Sequence, residues 1–470
     1  MKSSNGVFYY FFIAIFFLFA LFPQIRAILL FMSWVFVLFD SIRNLRNKVT
    51  LCAFYLTFFT FLMGRLVLPL FSSIKPDYHE NMSSFNTELW DFTFLILILS
   101  LFFIHLGYNF GERFTRNTKQ VFYHHNDIYI DVIQRLSLKF VIFTFAFKII
   151  ATLEIVRYVF DNGYMALYLE PPHGLPYIVY KFADLFVLFV YLFLATLPQK
   201  RITKYVLLCF MVDAILSIFT GRRGTFMFSA LLICIYIYIR DKLNPEEKWL
   251  SKRTIRLFLL SLPFVLVGMY FIGYVRAEVD IESNAPENPL LSFFYSQSGS
   301  VQLIGLTKQS ISTLPDNQYY LPGPVLHVFD GTTIGNLFGI KELAPQSTEL
   351  AMKGDNLGDY LTYKYNSSRY FSGGGYGGCY LAEAYADLGY LGVVVVSLLF
   401  GWLLSKFRYW LLSNVWLSTL SFYILVGILH SPRGQAFSFL KEMLTPTVLI
   451  VAFIIHTYSS NISKKRKIVS

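Results

Sequence analysis

Charge is scarce in this chain. Only 15% of its 470 residues are Asp, Glu, Lys or Arg, against about 25% in a soluble globule. That excludes a water-solvated surface over most of the molecule. Cysteine is scarce too. Cys52, Cys209, Cys234 and Cys379 are scattered, three of them in apolar segments. No pair has metal-ligand spacing, which excludes a disulfide framework and a cysteine-built zinc site. The apolar run at the start, MKSSNGVFYYFFIAIFFLFALFP, lacks a small-residue cleavage site, and further apolar segments follow at once. It is expected to stay as a first membrane span rather than leave as a signal peptide.

What is present is apolar and aromatic. Hydrophobic residues make up 55% of the chain, with 50 Phe and 32 Tyr, and the mean hydropathy is +0.52. A bilayer span needs about 20 mostly apolar residues. Stretches of that kind fall at 6–22, 26–40, 50–72, 92–110, 138–160, 176–197, 205–220, 225–239, 257–275, 388–405, 410–430 and 438–457. The expected fold is an all-α integral membrane protein of about 12 transmembrane helices with one long external loop. Residues 1–275 hold spans one to nine, 276–387 the loop, 388–457 spans ten to twelve, and 458–470 a basic tail.

Lys and Arg set the expected orientation. The connections RNLRNK (43–48), ERFTRNTK (112–119), QKRITK (199–204), RDKLNPEEKWLSKRTIR (240–256) and SKFRYW (405–410), and the SKKRKIVS tail, are basic. Every second connection is therefore basic, which places all of these, and both termini, in the cytoplasm. Loops 73–91 and 161–175 are nearly free of Lys and Arg, and the 276–387 connection has twelve acidic against six basic residues. The formal net charge of +11 reflects cytoplasmic loops rather than nucleic-acid binding.

Two stretches oppose that bias. In IFTGRRGTFMFS (218–229), Arg222 and Arg223 sit in a glycine-framed turn on the expected outer side. In LHSPRGQAFSFLKEML (429–444), Arg433 precedes Gly434 in a second such turn, next to His430. One reading makes them anchors for lipid headgroups. The other makes each an anion site at a helix start, where free N–H groups and the dipole add to the guanidinium. Arg65, Lys148, Glu154, Arg157, Lys181, Asp184 and Asp213 interrupt spans. Pairing of Glu154 with Arg157 and of Lys181 with Asp184 accounts for part of this, and a polar cavity open to the exterior accounts for the rest.

The loop closes with SSRYFSGGGYGGCYLAEAYADLGYLGVVVV (367–396). No Gly-Lys-Ser/Thr follows the glycines, so this is not a P-loop. The glycines permit close backbone approach, and Tyr370, Phe371, Tyr376, Tyr380 and Tyr385 offer faces for sugars. Glu383 and Asp387 share a helix face, where either is a candidate general base. A solvated helix start fits each of them equally well.

With TGRRGTF mid-chain, GGGYGGCYLAEAYADLGYLG closing a long loop and a late SPRGQAF, the chain resembles the bacterial O-antigen and capsule polysaccharide polymerases of the Wzy type. The resemblance covers the whole chain in architecture and about forty residues in motif. It implies a glycosyltransferase of lipopolysaccharide or capsule synthesis in the bacterial inner membrane. The donor would be an undecaprenyl (polyprenyl) diphosphate-linked oligosaccharide and the acceptor a second lipid-linked repeat unit. It also implies that Arg222, Arg223 and Arg433 hold the diphosphate; it leaves the base open, and the residues themselves offer Glu383, Asp387 or His430 as the catalytic base. Membrane lipids, a flippase and a chain-length regulator are the implied partners, and no cofactor or metal is implied. Two alternatives share features of this pattern: an O-antigen ligase and a lipid-linked oligosaccharide flippase or other transporter.

Overall fold

The computed structural model describes residues 2–72, 85–116, 128–277, 288–330, 332–340 and 342–469. Parts of three expected connections, 73–84, 117–127 and 278–287, lie outside the described residues. The principal helices are α1 (Lys2–Leu21), α2 (Arg26–Arg43), α3 (Leu45–Leu70), α4 (Thr87–Arg116), α5 (Ile128–Asn162), α6 (Tyr177–Ala195), α7 (Lys200–Phe219), α8 (Arg223–Leu243) and α9 (Lys252–Ala277). The long connection supplies α10 (Pro289–Gln297), α11 (Gln302–Ser310) and α12 (Leu357–Tyr365). The chain ends with α13 (Tyr380–Leu411), α14 (Val415–His430), α15 (Ser438–Leu444) and α16 (Pro446–Val469). Short helical turns join them, and there is no strand among the described residues.

The apolar stretches are mostly helical, because only a helix satisfies every backbone group within its own segment in lipid, but 410–430 crosses the turn at 412–414 and 438–457 the break at Thr445. Seven helices among the described residues are long and apolar enough to cross a membrane, and eight if α15 and α16, bent by 52°, form one broken span. That is fewer than the twelve expected. The apolar parts of α1, α9 and α14 are short, Gly6–Leu21, Leu260–Tyr270 and Val415–His430. Helix α8 starts on Arg223 and finishes with Arg240, Asp241 and Lys242.

The most extensive helix pair is α4 with α13. Small residues allow it, since lipid offers no hydrophobic drive between helices and backbones must approach closely. A Cβ on Gly107 would lie 2.1 Å from the Leu398 carbonyl oxygen, and one on Gly401 2.0 Å from that of Ile104. A buried polar seam links the same helices: Ser100 Oγ lies 2.6 Å from Tyr380 Oη and 3.1 Å from Ser397 Oγ. Substituting Gly401 by leucine is expected to separate the pair and lower the amount of folded protein in the membrane, read by size-exclusion profile in detergent.

Two irregularities aim side chains. Helix α3 has a π turn at Phe59–Met63, a bulge that rotates the residues after it and precedes the buried Arg65. Helix α13 breaks at Gly389 (φ 60°, ψ −145°), so its first turns carry Glu383 and Asp387 apart from the remainder. The described part of the long connection packs as helices, α10 against α3 and α9, and α11 against α4 and α13.

Of the two in-span pairs expected from spacing, Lys181 and Asp184 interact electrostatically, while Glu154 and Arg157 make contacts elsewhere. Glu154 receives the Tyr180 hydroxyl, Arg157 reaches Asp161 at 3.6 Å, and Lys181 lies 4.9 Å from the Tyr177 ring centre. Lys148 and Asp213 face a cavity instead.

Candidate active site

The turn between α7 and α8 is built by Gly221, whose φ of +78° admits glycine readily. Arg222 occupies the cap position of α8 and Arg223 its first residue, so both stand at the positive end of a helix. Arg222 is exposed and Arg223 half-buried. Arg223 Nη1 donates to the Met269 carbonyl at 2.7 Å, which ties the guanidinium to α9.

The second turn differs from expectation. Arg433 N donates to the His430 carbonyl at 2.8 Å and Gly434 N to that of Ser431 at 3.3 Å. The turn winds on from α14, and α15 starts only at Ser438. The helix-start argument therefore applies to Arg222 and Arg223 and not to Arg433. Arg433 is held by other means: Nη1 donates to Gln297 Oε1 of α10, and the guanidinium lies 5.6 Å from the Phe61 ring centre.

The glycine-rich stretch lies against this turn. Gly378 N donates to the Arg433 carbonyl at 3.3 Å, and Tyr380 N to the Ser431 carbonyl at 3.1 Å. A Cβ on Gly378 would sit 2.7 Å from Gly434 C. The glycines are thus needed for the approach of one turn to another.

Both turns open on one cavity of about 1010 Å³. Six cations line it: Arg65, Lys148, Arg222, Arg223, Arg369 and Arg433. Three carboxylates accompany them, Asp213, Asp359 and Glu442, together with His430. Asp213 Oδ1 accepts from Thr152 Oγ1 at 3.2 Å. His430 is wedged between Phe228, at 5.0 Å between ring centres, and Gly434, where a Cβ would fall 2.5 Å from Nδ1. Such a set can hold a multiply charged anion and place a hydroxyl beside it.

Four of the six expected residues, Arg222, Arg223, Arg433 and His430, therefore share the cavity, and Glu383 and Asp387 lie off it. Glu383 is 0% exposed and its Oε2 accepts the Ala436 N–H at 2.8 Å, so it supports the Arg433 turn from beneath. Asp387 accepts the N–H groups of Tyr320 (3.1 Å) and Leu321 (2.7 Å) and fastens the long connection to α13. Replacing Glu383 by leucine is expected to cost about 1–3 kcal/mol through the orphaned Ala436 N–H, whereas glutamine keeps an acceptor and costs less. Thermal unfolding of the purified protein measures the difference. Of the five aromatic residues expected to face sugars, Tyr376 alone lines the cavity. Tyr370 and Tyr380 are fully buried.

Sequence reasoning missed Arg369 and Asp359 as site residues. Arg369 sits in a short helix capped by Asn366, whose Oδ1 accepts its N–H at 3.0 Å, and its guanidinium lies 5.6 Å from the Tyr376 ring centre. Its neighbourhood, SSRYFSGGG, was a usable signal: an arginine four residues before a glycine run. Nothing local marked Asp359 among the twelve acidic residues of its connection.

The family model of O-antigen polysaccharide polymerase Wzy matches residues 6–466. The chain belongs to that family. No curated protein and no solved structure matches it. As a Wzy polymerase it is a multi-pass membrane protein that joins O-antigen repeat units into polysaccharide. No finding favours the ligase or flippase readings.

Proposed function

We propose that this Wzy polymerase joins its repeat units in the cationic cavity, using a polyprenyl-diphosphate-linked oligosaccharide as donor on the outer face of the bacterial cytoplasmic membrane. Arg222, Arg223 and Arg433 bind the diphosphate, and Arg65 and Arg369 extend the field. The observation that carries this reading is the meeting of six cations from α3, α5, both arginine turns and the long connection around one cavity. The acceptor is the non-reducing end of a second lipid-linked repeat unit. As the anomeric carbon–oxygen bond to phosphate breaks, charge develops on the leaving diphosphate, and fixed guanidinium groups stabilise it there.

In proteoliposomes supplied with lipid-linked repeat units alone, the protein should form lipid-linked oligomers and release one polyprenyl diphosphate per linkage. Chain growth from nucleotide sugars without that release would overturn the reading.

The topology follows the positive-inside pattern, with both termini cytoplasmic, about twelve spans and the 276–387 connection outside. In a background without the four native cysteines, cysteine at position 319 should react with an impermeant reagent added to whole cells, and cysteine at 246 should not. The opposite labelling would reverse the orientation and remove the cavity from the outer face.

A further inference from the structure

We infer that Asp359 is the general base that takes the proton from the acceptor hydroxyl. This rests on the cavity being the polymerisation site.

The geometry starts at glycines. A Cβ on Gly358 would sit 1.7 Å from the Gly377 carbonyl oxygen, and one on Gly377 3.7 Å from the Arg433 carbonyl oxygen. The first turn of α12 is thus seated on the glycine stretch, which is itself seated on the Arg433 turn. Asp359 is the next residue along α12 and lines the cavity. Asn356 caps this helix, its Oδ1 accepting the Gly358 N–H at 3.0 Å, so the position of Asp359 is set by a tight turn.

The other cavity carboxylates are placed differently. Asp213 lies within the apolar helix α7, where it accepts from Thr152, whereas Asp359, which has a side-chain hydrogen bond with Asn356, lies on the long connection. Glu442 belongs to α15. Asp359 comes from the long connection, whereas Arg222, Arg223 and Arg433 come from the two turns between apolar helices. A base has to stand where an acceptor hydroxyl can reach it, and Asp359 stands on the wall of the cavity that the arginines line. Burial and the nearby Asp355 carboxylate push its carboxyl up to about 7. A proton acceptor works best with a pKa near the operating pH.

The acceptor O–H bond breaks, its proton passes to the Asp359 carboxylate, and the oxygen bonds to the donor anomeric carbon. The bond from that carbon to the diphosphate oxygen breaks, and the electron pair leaves with polyprenyl diphosphate.

The test uses the full chain in proteoliposomes with lipid-linked repeat units, and a fluorescent polyprenyl diphosphate as binding probe. Asp359→Asn should slow linkage formation on the order of a hundredfold or more, with probe affinity unchanged, and Asp359→Glu should recover part of the rate. Asp359→Asn within about threefold of the wild-type rate, a margin far below a base's usual share, would overturn the assignment. So would a slow Asp359→Asn protein that has also lost the probe, because Asp359 would then shape the anion site. A failure of the diphosphate reading shows separately, as unchanged probe binding by Arg433→Lys.

Discussion

Cells carrying Arg433→Lys are expected to accumulate lipid-linked single repeat units and make little long polysaccharide, at normal protein abundance. Arg433 does three things at once. It donates to Gln297 Oε1, sets its guanidinium carbon 5.6 Å from the Phe61 ring centre and lines the cavity. A guanidinium can do this because its five N–H groups project from a rigid plane, so one edge can be anchored while another points at phosphate oxygens. A lysine ammonium keeps the charge but loses both the plane and the fork. Losing one transition-state donor costs about 3 kcal/mol, on the order of a hundredfold in rate. Arg223→Lys should behave alike, since Arg223 also lines the cavity while its Nη1 donates to the Met269 carbonyl. Arg222 is exposed at the cap position, and its substitution should shorten the ladder less. The readout is the glycan ladder on a gel beside an immunoblot of the membranes. Wild-type ladders for Arg433→Lys and Arg223→Lys would return these arginines to the role of lipid anchors.

Gly358→Ala is expected to remove polymer without touching any charged group. The added Cβ would fall 1.7 Å from the Gly377 carbonyl oxygen, far inside contact distance. Backbone meets backbone there, so no side-chain rotation relieves the overlap. Either α12 lifts, carrying Asp359 away, or the glycine stretch shifts and loosens its bonds to the Arg433 and Ser431 carbonyls. A misplacement of about 1 Å at a reacting centre can cost on the order of a hundredfold. The strain should also lower the unfolding temperature of the purified protein. Ala at 375 is the control, since a Cβ there has its nearest neighbour, Gly377 N, at 3.9 Å. If Gly358→Ala makes wild-type ladders, α12 does not set the geometry of the site.

The cavity and its charges divide into what the chain states locally and what it does not. The helical, membrane-embedded class was plain from composition, because an apolar stretch in lipid has to satisfy its own backbone and does so as a helix. The glycine-framed arginines were visible as oddities against the distribution of positive charge. The partners of each charge were not. Arg65, Arg223, Arg369 and Arg433 are far apart in sequence, and no period or spacing records that they line one cavity. Spacing on one helix suggested Arg157 as the partner of Glu154, but the bundle brought it Tyr180 from another helix instead.

Glu383 and Asp387 show the same limit from the other side. Sequence placed two carboxylates on one helix face beside a glycine run, a pattern equally suited to a base and to a brace. Both lie off the cavity in the folded chain, one on the Ala436 N–H and the other on the N–H groups of 320 and 321. By itself, then, the sequence determined the kind of solvent this chain folds in, where its helices run and which arginines are out of place. Tertiary structure alone decided which charges meet. Helix propensity and hydrophobicity act over a few turns of chain, whereas a cavity is made by contacts between segments that only packing brings together.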